Sequence, residues 1–408
     1  MQFQDFNLRE PLLRAVHDKG FQKPTRVQEQ AIPAALEGRD VLGTAQTGTG
    51  KTVAFLLPSL QHMLKGKAPK NPRMVVLAPT RELAVQIAME ADELAKHTHL
   101  RVLAVYGGTS IRNQTKDLRR GVDLIVATPG RLLDQMRRGN VSFKDLEILV
   151  LDEADRMLDM GFIPDIEEIV QRMPKKRQTM LFSATMPQAI VSLTYQFLDE
   201  PLRVEIDTAV PPSAINQQIF PVPKHLKEDL LIELLKRENV ESALVFTRTK
   251  AEADVVTRKL REENMSVAEI HGDFHQKQRM RALDRFRKGN ARILVATNVA
   301  ARGLDISGIT HVVNYDVPDE AENYVHRIGR TARLDKDGVA WTFVTPEDEP
   351  LISGIEYLLG REIERVTLDD FDYDVPAPSW ARPSAKTLLK RVERSQSNID
   401  VWKSLTRK

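Results

Sequence analysis

Two short stretches of the chain decide the fold: residues 45–52 read AQTGTGKT, and residues 148–155 read ILVLDEAD. In the first stretch, glycines let backbone N–H groups approach phosphate oxygens. Lys51 can reach the β- and γ-phosphates, and the Thr52 hydroxyl can ligate magnesium. The predicted nucleotide cradle comprises Ala45, Gln46, Thr47, Gly48, Thr49, Gly50, Lys51 and Thr52.

The second stretch ends a predicted buried strand on an acidic pair. Asp152 can hold the magnesium shell, partly through water, while Glu153 can face the attacking water. Alone, a glycine-rich segment is more often a simple turn and an acidic cluster more often a solvated loop. The two stretches together, in this order in one α/β chain, predict ATP binding and hydrolysis, because an ATPase needs both halves of the site.

Short β-branched runs alternate with helical stretches along the chain, stop near residue 208, and then restart. This alternation predicts mainly parallel sheets with helices on both faces. We predict a first lobe over residues 1–207, a linker over 208–216, a second lobe over 217–365 and a short basic C-terminal extension over 366–408. The basic end is typical of a solvated helix; an RNA-binding tail is the alternative.

Composition excludes several classes of protein. The 408 residues include no cysteine, which excludes disulfides, thiolate metal sites and a cysteine nucleophile. The formal charge of +2 is too small to indicate a polyanion partner, so any nucleic-acid surface must be local. No signal pattern and no apolar run of about eighteen residues or more occurs, so we expect a cytoplasmic protein.

The DEAD tetrapeptide at 152–155 belongs to an ordered set of motifs that resembles the DEAD-box RNA helicases of superfamily 2, in their bacterial form. The other matching segments are GFQKP at 20–24 with Gln28, PTRELA at 79–84, GG at 107–108, TPGR at 128–131, SAT at 183–185, VFTRTK at 245–250, QKQR at 276–279, ATNVAARGLD at 296–305 and HRIGRTAR at 326–333. The resemblance implies two tandem RecA-like lobes, an RNA-stimulated ATPase activity, and ATP and Mg²⁺ as cofactors.

The resemblance also implies roles at the nucleotide. Gln28 would select adenine, because an amide can bond the exocyclic amine and N7 together. Phe21 and Phe3 would contact the base, the alternative being that both are ordinary core aromatics. Asp305 would contact the ribose.

For catalysis, the family assigns Lys51, Asp152 and Glu153 in the first lobe and two arginine fingers, Arg330 and Arg333, in the second. We therefore expect the ATPase site to be complete only when the lobes close. The residues that would couple hydrolysis to lobe movement are Asp155, Ser183, Thr185 and His326. Without the motif, His326 would be read as a structural histidine.

The implied RNA contacts suit phosphates and ribose hydroxyls and not base edges, so we expect binding of single-stranded and duplex RNA without sequence preference. The residues are Thr80, Arg81, Gly108, Thr128, Arg131, Thr247, Gly272, Arg279, Thr297 and Gly303. Two positions depart from the family pattern: Asn298 stands where Asp is usual, and Ala332 where Gly is usual. We expect these two residues to alter the rate of ATP hydrolysis without abolishing it.

The sequence therefore predicts an ATP-dependent RNA helicase that separates RNA duplexes locally, with ribonucleoprotein or ribosome-assembly partners. Two alternatives use the same residues. One is an ATP-gated RNA clamp or scaffold that seldom separates strands, and the other is a DNA translocase.

Overall fold

The computed structural model describes residues 1–44, 49–65, 71–205, 215–238, 240–297, 306, 309–331 and 338–378. Within these ranges the chain forms two sheets of seven strands, and every strand pair is parallel. Helices flank both sheets. The predicted α/β class with two mainly parallel sheets is confirmed.

The first sheet has the strand order β3-β4-β2-β5-β6-β1-β7. Its strands are β1 (Val41–Thr44), β2 (Met74–Leu77), β3 (Val102–Val105), β4 (Leu124–Ala127), β5 (Ile148–Leu151), β6 (Gln178–Ser183) and β7 (Leu202–Glu205). The helices are α1 (Glu10–Asp18), α2 (Arg26–Leu36), α3 (Lys51–Met63), α4 (Arg81–Leu94), α5 (Ile111–Arg119), α6 (Pro129–Arg137), α7 (Ala154–Asp159), α8 (Ile163–Gln171) and α9 (Gln188–Phe197).

Both faces of this sheet are covered at its centre, which explains why the strands β2, β4 and β5 are continuous apolar runs. In β2, Met74 and Val76 belong to one hydrophobic core, while Val75 and Leu77 belong to the core on the opposite face. Successive side chains of a strand point to opposite faces, so a strand covered by helices on both sides has to be apolar at every position.

The second sheet has the order β10-β11-β9-β12-β13-β8-β14. Its strands are β8 (Ile215–Pro221), β9 (Ala243–Thr247), β10 (Val267–Ile270), β11 (Ile293–Thr297), β12 (His311–Asn314), β13 (Gly338–Val344) and β14 (Glu364–Arg365). The helices are α10 (Lys227–Arg237), α11 (Lys250–Glu262), α12 (Gln276–Arg287), α13 (Ala321–Ile328) and α14 (Glu349–Leu359). None of the helices in the described ranges is long and apolar enough to cross a lipid bilayer.

The second lobe extends slightly beyond its predicted bounds at both ends. Strand β8 begins at Ile215, so the last two residues of the predicted linker, 215 and 216, form part of the second sheet. Residues just after 365 also pack onto this lobe; they are Val366, Leu368, Phe371 and Tyr373. Residues 206–214 and 379–408, which hold most of the predicted linker and the basic end, lie outside the described residues.

Candidate active site

The carboxyl edge of the first sheet carries the predicted site residues, in two halves. Strands β1, β5 and β6 are neighbours, and they lead to the nucleotide cradle, to Asp152 and to Ser183. Strands β2, β3 and β4 are the adjoining neighbours, and they lead to Thr80, Gly108 and Thr128. Because all strands are parallel, these ends meet at one edge. The predicted ATP residues and RNA residues therefore lie side by side.

Gln28 braces the described part of the nucleotide cradle. Its amide Nε2 donates to the Gly50 carbonyl at 3.1 Å, and its Oε1 accepts from the Thr25 N–H at 3.0 Å. The Thr25 hydroxyl donates to the Thr49 carbonyl at 2.7 Å. Gly50 has a φ of 94°, and a Cβ there would lie 2.5 Å from Gln28 Nε2. These contacts use one N–H and one lone pair of the amide, which leaves one of each for a base.

The two aromatic residues predicted beside the base differ in exposure. The rings of Phe3 and Phe21 stack with centroids 6.3 Å apart. Phe3 is only 3% exposed and packs in the core, also making an edge contact with Phe6. Phe21 is partly buried. Phe21 is therefore the ring with surface to offer a base, and Phe3 supports it from behind.

Asp152, Glu153 and Lys51 are all buried at the end of β5 and the start of α3. Burial raises the pKa of Asp152 to about 6, although the Lys51 ammonium acts in the opposite direction. A buried carboxylate with a raised pKa next to other acids suits a divalent cation, whose charge favours the ionised form. Asp152 and the Thr52 hydroxyl therefore fit the Mg²⁺ expected from the sequence.

Glu153 adopts a left-handed backbone conformation, with a φ of 53°. Such strain costs on the order of 1–3 kcal/mol for a non-glycine residue, and it concentrates at functional sites. The Glu153 carboxylate accepts from Arg156 Nη1 at 2.9 Å, and the two side chains are only 5% and 9% exposed. The sequence reasoning missed Arg156; its position three residues after Glu153, at the start of a helix, is the available signal.

Asp155 joins the acidic segment to the end of β6. Its Oδ2 accepts hydrogen bonds from the Ala184 N–H at 3.1 Å, the Thr185 N–H at 2.9 Å and the Thr185 hydroxyl at 3.0 Å. The Asp155 N–H donates to Ser183 Oγ at 3.2 Å, and that hydroxyl donates to the Thr185 carbonyl at 2.7 Å. One buried carboxylate thus fixes the position of the segment 183–185.

His326, on α13 of the second lobe, lies against this acidic segment of the first lobe. Burial lowers its pKa to about 4, with the nearby charge of Arg156 the next cause. Asp155 of the first lobe and Arg330 of the second also act on the ring electrostatically. His326 is therefore neutral at pH 7, and Arg330, itself buried, lies close enough to act on its ring.

In the RNA half of the first lobe, Arg81 covers the segment 107–108. Gly108 has a φ of 81°, and a side chain there would collide with the Arg81 guanidinium. Thr80 caps α4, accepting from the Leu83 N–H at 3.3 Å. A helix N-terminus and an arginine side by side attract anions, which suits the predicted phosphate contact.

Thr128 and Arg131, two further predicted RNA contacts, lie at the start of α6. Thr128 precedes α6, and Arg131 Nη1 donates to the Thr109 carbonyl at 3.2 Å and to Gln114 Oε1 at 3.0 Å. These bonds fix the guanidinium beside the loop that follows β3.

In the second lobe, Thr247, Gly272 and Thr297 end or follow the neighbouring strands β9, β10 and β11. Thr247, one of the predicted RNA contacts, is 0% exposed, and its hydroxyl donates to the Thr249 carbonyl at 3.2 Å. Its contact with RNA stays a prediction. The exposed members of the VFTRTK segment are Arg248, Thr249 and Lys250.

Arg279, another predicted RNA contact, is paired with a residue of the first lobe. Its Nε lies 3.0 Å from Oε1 of Glu82, a buried residue of α4 in the first lobe. The guanidinium is partly buried, and burial lowers its pKa. Arg279 therefore forms an ion pair between the lobes. Glu82 lies inside PTRELA, but its sequence position alone gives no signal for a partner almost two hundred residues away.

Several predicted residues lie outside the part of the chain that the structure describes. They are Ala45, Gln46, Thr47, Gly48, Asn298, Gly303, Asp305, Ala332 and Arg333.

Comparison with known proteins places the chain in a family. The model of the DEAD/DEAH box helicase family matches residues 25–193, and that of the helicase conserved C-terminal domain matches residues 226–335. The ATP-dependent RNA helicase CshA of Listeria monocytogenes is 43% identical over 400 residues, which cover 98% of this chain and 75% of that protein. The DEAD-box ATP-dependent RNA helicase CshA of Bacillus subtilis is 44% identical over 372 residues, 90% of this chain and 75% of that protein.

Solved structures agree with this assignment. Saccharomyces cerevisiae Dbp5 bound to RNA and ADP BeF3 matches with a TM-score of 0.81 at 35% identity, covering 90% of this chain and 96% of that one. A DEAD box protein from Methanococcus jannaschii matches with a TM-score of 0.55 at 34% identity, covering 90% and 99%. The two sheets thus correspond to RecA-like lobes, and the chain belongs to the DEAD-box family of ATP-dependent RNA helicases.

Proposed function

We propose that this chain is an RNA-stimulated ATPase that binds the RNA backbone without sequence preference and separates RNA duplexes locally. The observation that carries the proposal is the set of contacts around Asp155. This buried carboxylate neighbours the catalytic acids, fixes the segment 183–185 through hydrogen bonds, and acts on His326 of the second lobe. A change at the nucleotide is therefore transmitted to the contact between the lobes.

The hydrolytic step is assigned to the first lobe. Lys51, at the N-terminus of α3, neutralises phosphate charge, and the Glu153 carboxylate accepts the proton of the attacking water. Arg156 holds that carboxylate in place through its 2.9 Å hydrogen bond. Magnesium, when bound at Asp152 and Thr52, supplies additional charge neutralisation at the phosphates.

Lobe closure completes the site. Arg330 reaches the catalytic acids only from the second lobe, where it can offset the negative charge that develops on the transferred phosphoryl group. The Glu82–Arg279 ion pair and the burial of His326 stabilise the closed arrangement. Release of these contacts after hydrolysis lets the bound strand dissociate.

RNA binding is assigned to the carboxyl edges of the two sheets. The first lobe offers the N-termini of α4 and α6 together with Arg81 and Arg131, and the second offers Gly272, Thr297 and the exposed Arg248. Helix N-termini, arginines and hydroxyls position phosphates and ribose and carry no base code. Ribonucleoprotein or ribosome-assembly partners and a cytoplasmic location stay predictions.

A strand-displacement assay separates a helicase from an RNA clamp. A short RNA duplex with a single-stranded overhang is incubated with the full chain, with and without ATP, and the lifetime of the protein on the overhang is recorded in parallel. We expect ATP-dependent displacement with short residence. Long residence without displacement would instead identify a clamp.

The Thr185→Val variant tests the coupling step. It removes the hydroxyl that donates to Asp155 but keeps the shape of the side chain. We expect displacement to fall more than ATP turnover. The control is Thr98→Val, whose hydroxyl donates only locally, to the Ala95 carbonyl, far from the catalytic edge. Equal losses in both activities would mean that Thr185 does not couple them.

A further inference from the structure

Three ligand-type side chains converge in the second lobe, away from the ATP residues. Asp254 lies on α11, Glu269 lies on the edge strand β10, and His271 follows the end of that strand. One ligand atom from each residue lies within 4.8 Å of the other two. His271 Nε2 is 3.2 Å from Asp254 Oδ1 and 3.6 Å from Glu269 Oε1.

Two of these atoms are buried without a hydrogen bond. Glu269 is 7% exposed and His271 is 4% exposed, yet Glu269 Oε1 and His271 Nε2 have no hydrogen-bond partner among the residues that the structure describes. Leaving a buried polar atom unsatisfied is costly, and such atoms are rare in folded proteins. The imidazole nitrogen lies close to both carboxylates without a hydrogen bond to either, as expected for groups that face a shared central ion.

The surroundings of the cluster also suit a bound ion. The ring of Phe274 packs against the imidazole with centroids 4.2 Å apart and holds its orientation. Asp254 is 62% exposed on its side chain, so the cluster opens to solvent on that side and an ion can enter.

We propose that Asp254, Glu269 and His271 bind a divalent transition-metal ion, with Zn²⁺ the best match. Imidazole nitrogen and carboxylate oxygen are both ligands that Zn²⁺ accepts, and water can fill the fourth position from the exposed side. Mg²⁺ is disfavoured, because it prefers oxygen ligands and dehydrates reluctantly. The site is separate from the Mg²⁺ position at Asp152, and the inference goes beyond the proposed helicase function.

Metal binding would affect the loop that follows β10. The Asp273 N–H lies 3.4 Å from His271 Nδ1, the ring nitrogen that takes no part in the cluster. With the metal on Nε2, the proton resides on Nδ1 and this contact is lost. The bound ion would therefore fix the imidazole and shift the adjacent backbone at Gly272, a predicted RNA contact. Zinc should then change RNA affinity without changing ATP affinity.

The test is calorimetric titration of Zn²⁺ into metal-free full chain in the presence of millimolar Mg²⁺. We expect one saturable site per chain and an increase in the melting temperature, because an ion that binds only the folded state stabilises it. Co²⁺ in place of Zn²⁺ should give a d–d absorption band that identifies nitrogen and oxygen ligands.

Two variants and one control decide the assignment. His271→Ala and Asp254→Asn should each weaken Zn²⁺ binding by at least about a hundredfold, since loss of even outer-sphere partners costs 10–100-fold. Asp254→Asn keeps the volume of an exposed side chain, so its folding is not at risk. The control, His99→Ala, removes an exposed histidine of the first lobe and should leave binding unchanged.

The proposal is overturned if Zn²⁺ shows no saturable binding in the wild-type chain, or if both site variants bind it as tightly as the wild type. It is equally overturned if Mg²⁺ displaces Zn²⁺ at comparable concentration. The three side chains would then form a metal-free cluster in which Glu269 and Asp254 share a proton.

Discussion

Replacing Arg156 by alanine should destabilise the first lobe strongly, because it leaves the Glu153 carboxylate buried without its cation. The two side chains are 9% and 5% exposed and their atoms are 2.9 Å apart, so solvent screens the pair little. Removing one partner of a buried ion pair costs about 3–5 kcal/mol. The matched control is Arg138→Ala, which breaks an exposed pair with Asp134 on α6. That loss should be under about 0.5 kcal/mol.

Urea unfolding measures the difference if the two lobes are followed separately. The three tryptophans, Trp341, Trp380 and Trp402, all lie after residue 215, so their fluorescence reports the second part of the chain. Circular dichroism reports both lobes. Arg156→Ala should shift only the transition seen by circular dichroism and not by fluorescence. A loss below about 1 kcal/mol relative to Arg138→Ala would refute the argument that Arg156 neutralises a buried Glu153.

Four other outcomes follow from the site. Glu153→Gln should keep ATP and RNA binding but lower turnover by at least about a hundredfold, as for a lost general base; near-normal turnover would remove Glu153 from that role. Arg330→Ala should reduce RNA-stimulated hydrolysis on the order of a thousandfold while full-chain ATP binding in the absence of RNA is unchanged; undiminished stimulation would place the finger elsewhere. Glu82→Gln and Arg279→Gln should each weaken ATP-dependent RNA binding. The double variant should bind RNA no more weakly than either single variant, because both substitutions break the same ion pair. Additive losses of affinity would show that the pair does not form. Burial holds the pKa of His326 near 4 in the folded chain, against 6.5 in the unfolded chain. Between these two pH values the unfolded chain binds a proton that the folded chain does not bind. The free energy of unfolding is therefore highest above this window and falls as the pH is lowered through it. His326→Asn should therefore reduce the destabilisation at pH 5 by on the order of 2 kcal/mol in urea titrations, and an unchanged pH dependence would contradict it.

The alternation of apolar runs predicted most of the strands, because the central strands of each sheet are buried on both faces and are mainly apolar. The runs at 74–78, 148–151 and 243–246, for example, correspond to β2, β5 and β9. The strand order within each sheet is not available from such runs, because a parallel strand can pair with any neighbour that a crossover reaches. The structure supplies that order, and the order explains why the two sets of motif residues adjoin.

Motif resemblance identified the proposed catalytic acids, because such chemistry depends on residue type at fixed spacing. It could not give the state of each side chain. Thr247 shares its motif with exposed residues but ends a buried strand, and Arg279 is paired with a residue of the other lobe. The sequence did not indicate a role for Arg156, because an arginine next to an acidic segment is usually exposed to solvent, and only the structure shows that this one is buried. These features depend on tertiary packing.

The most direct test of the account is ATP turnover by the full chain without nucleic acid, with single-stranded RNA, and with single-stranded DNA of the same sequence. The account predicts stimulation by RNA, similar stimulation by RNAs of unrelated sequence, and far weaker stimulation by DNA, because contacts to the ribose 2′-hydroxyl distinguish the two. Salt should weaken the RNA effect through a small number of phosphate contacts. Equal stimulation by DNA would indicate a DNA translocase, and turnover independent of nucleic acid would contradict coupling through Asp155.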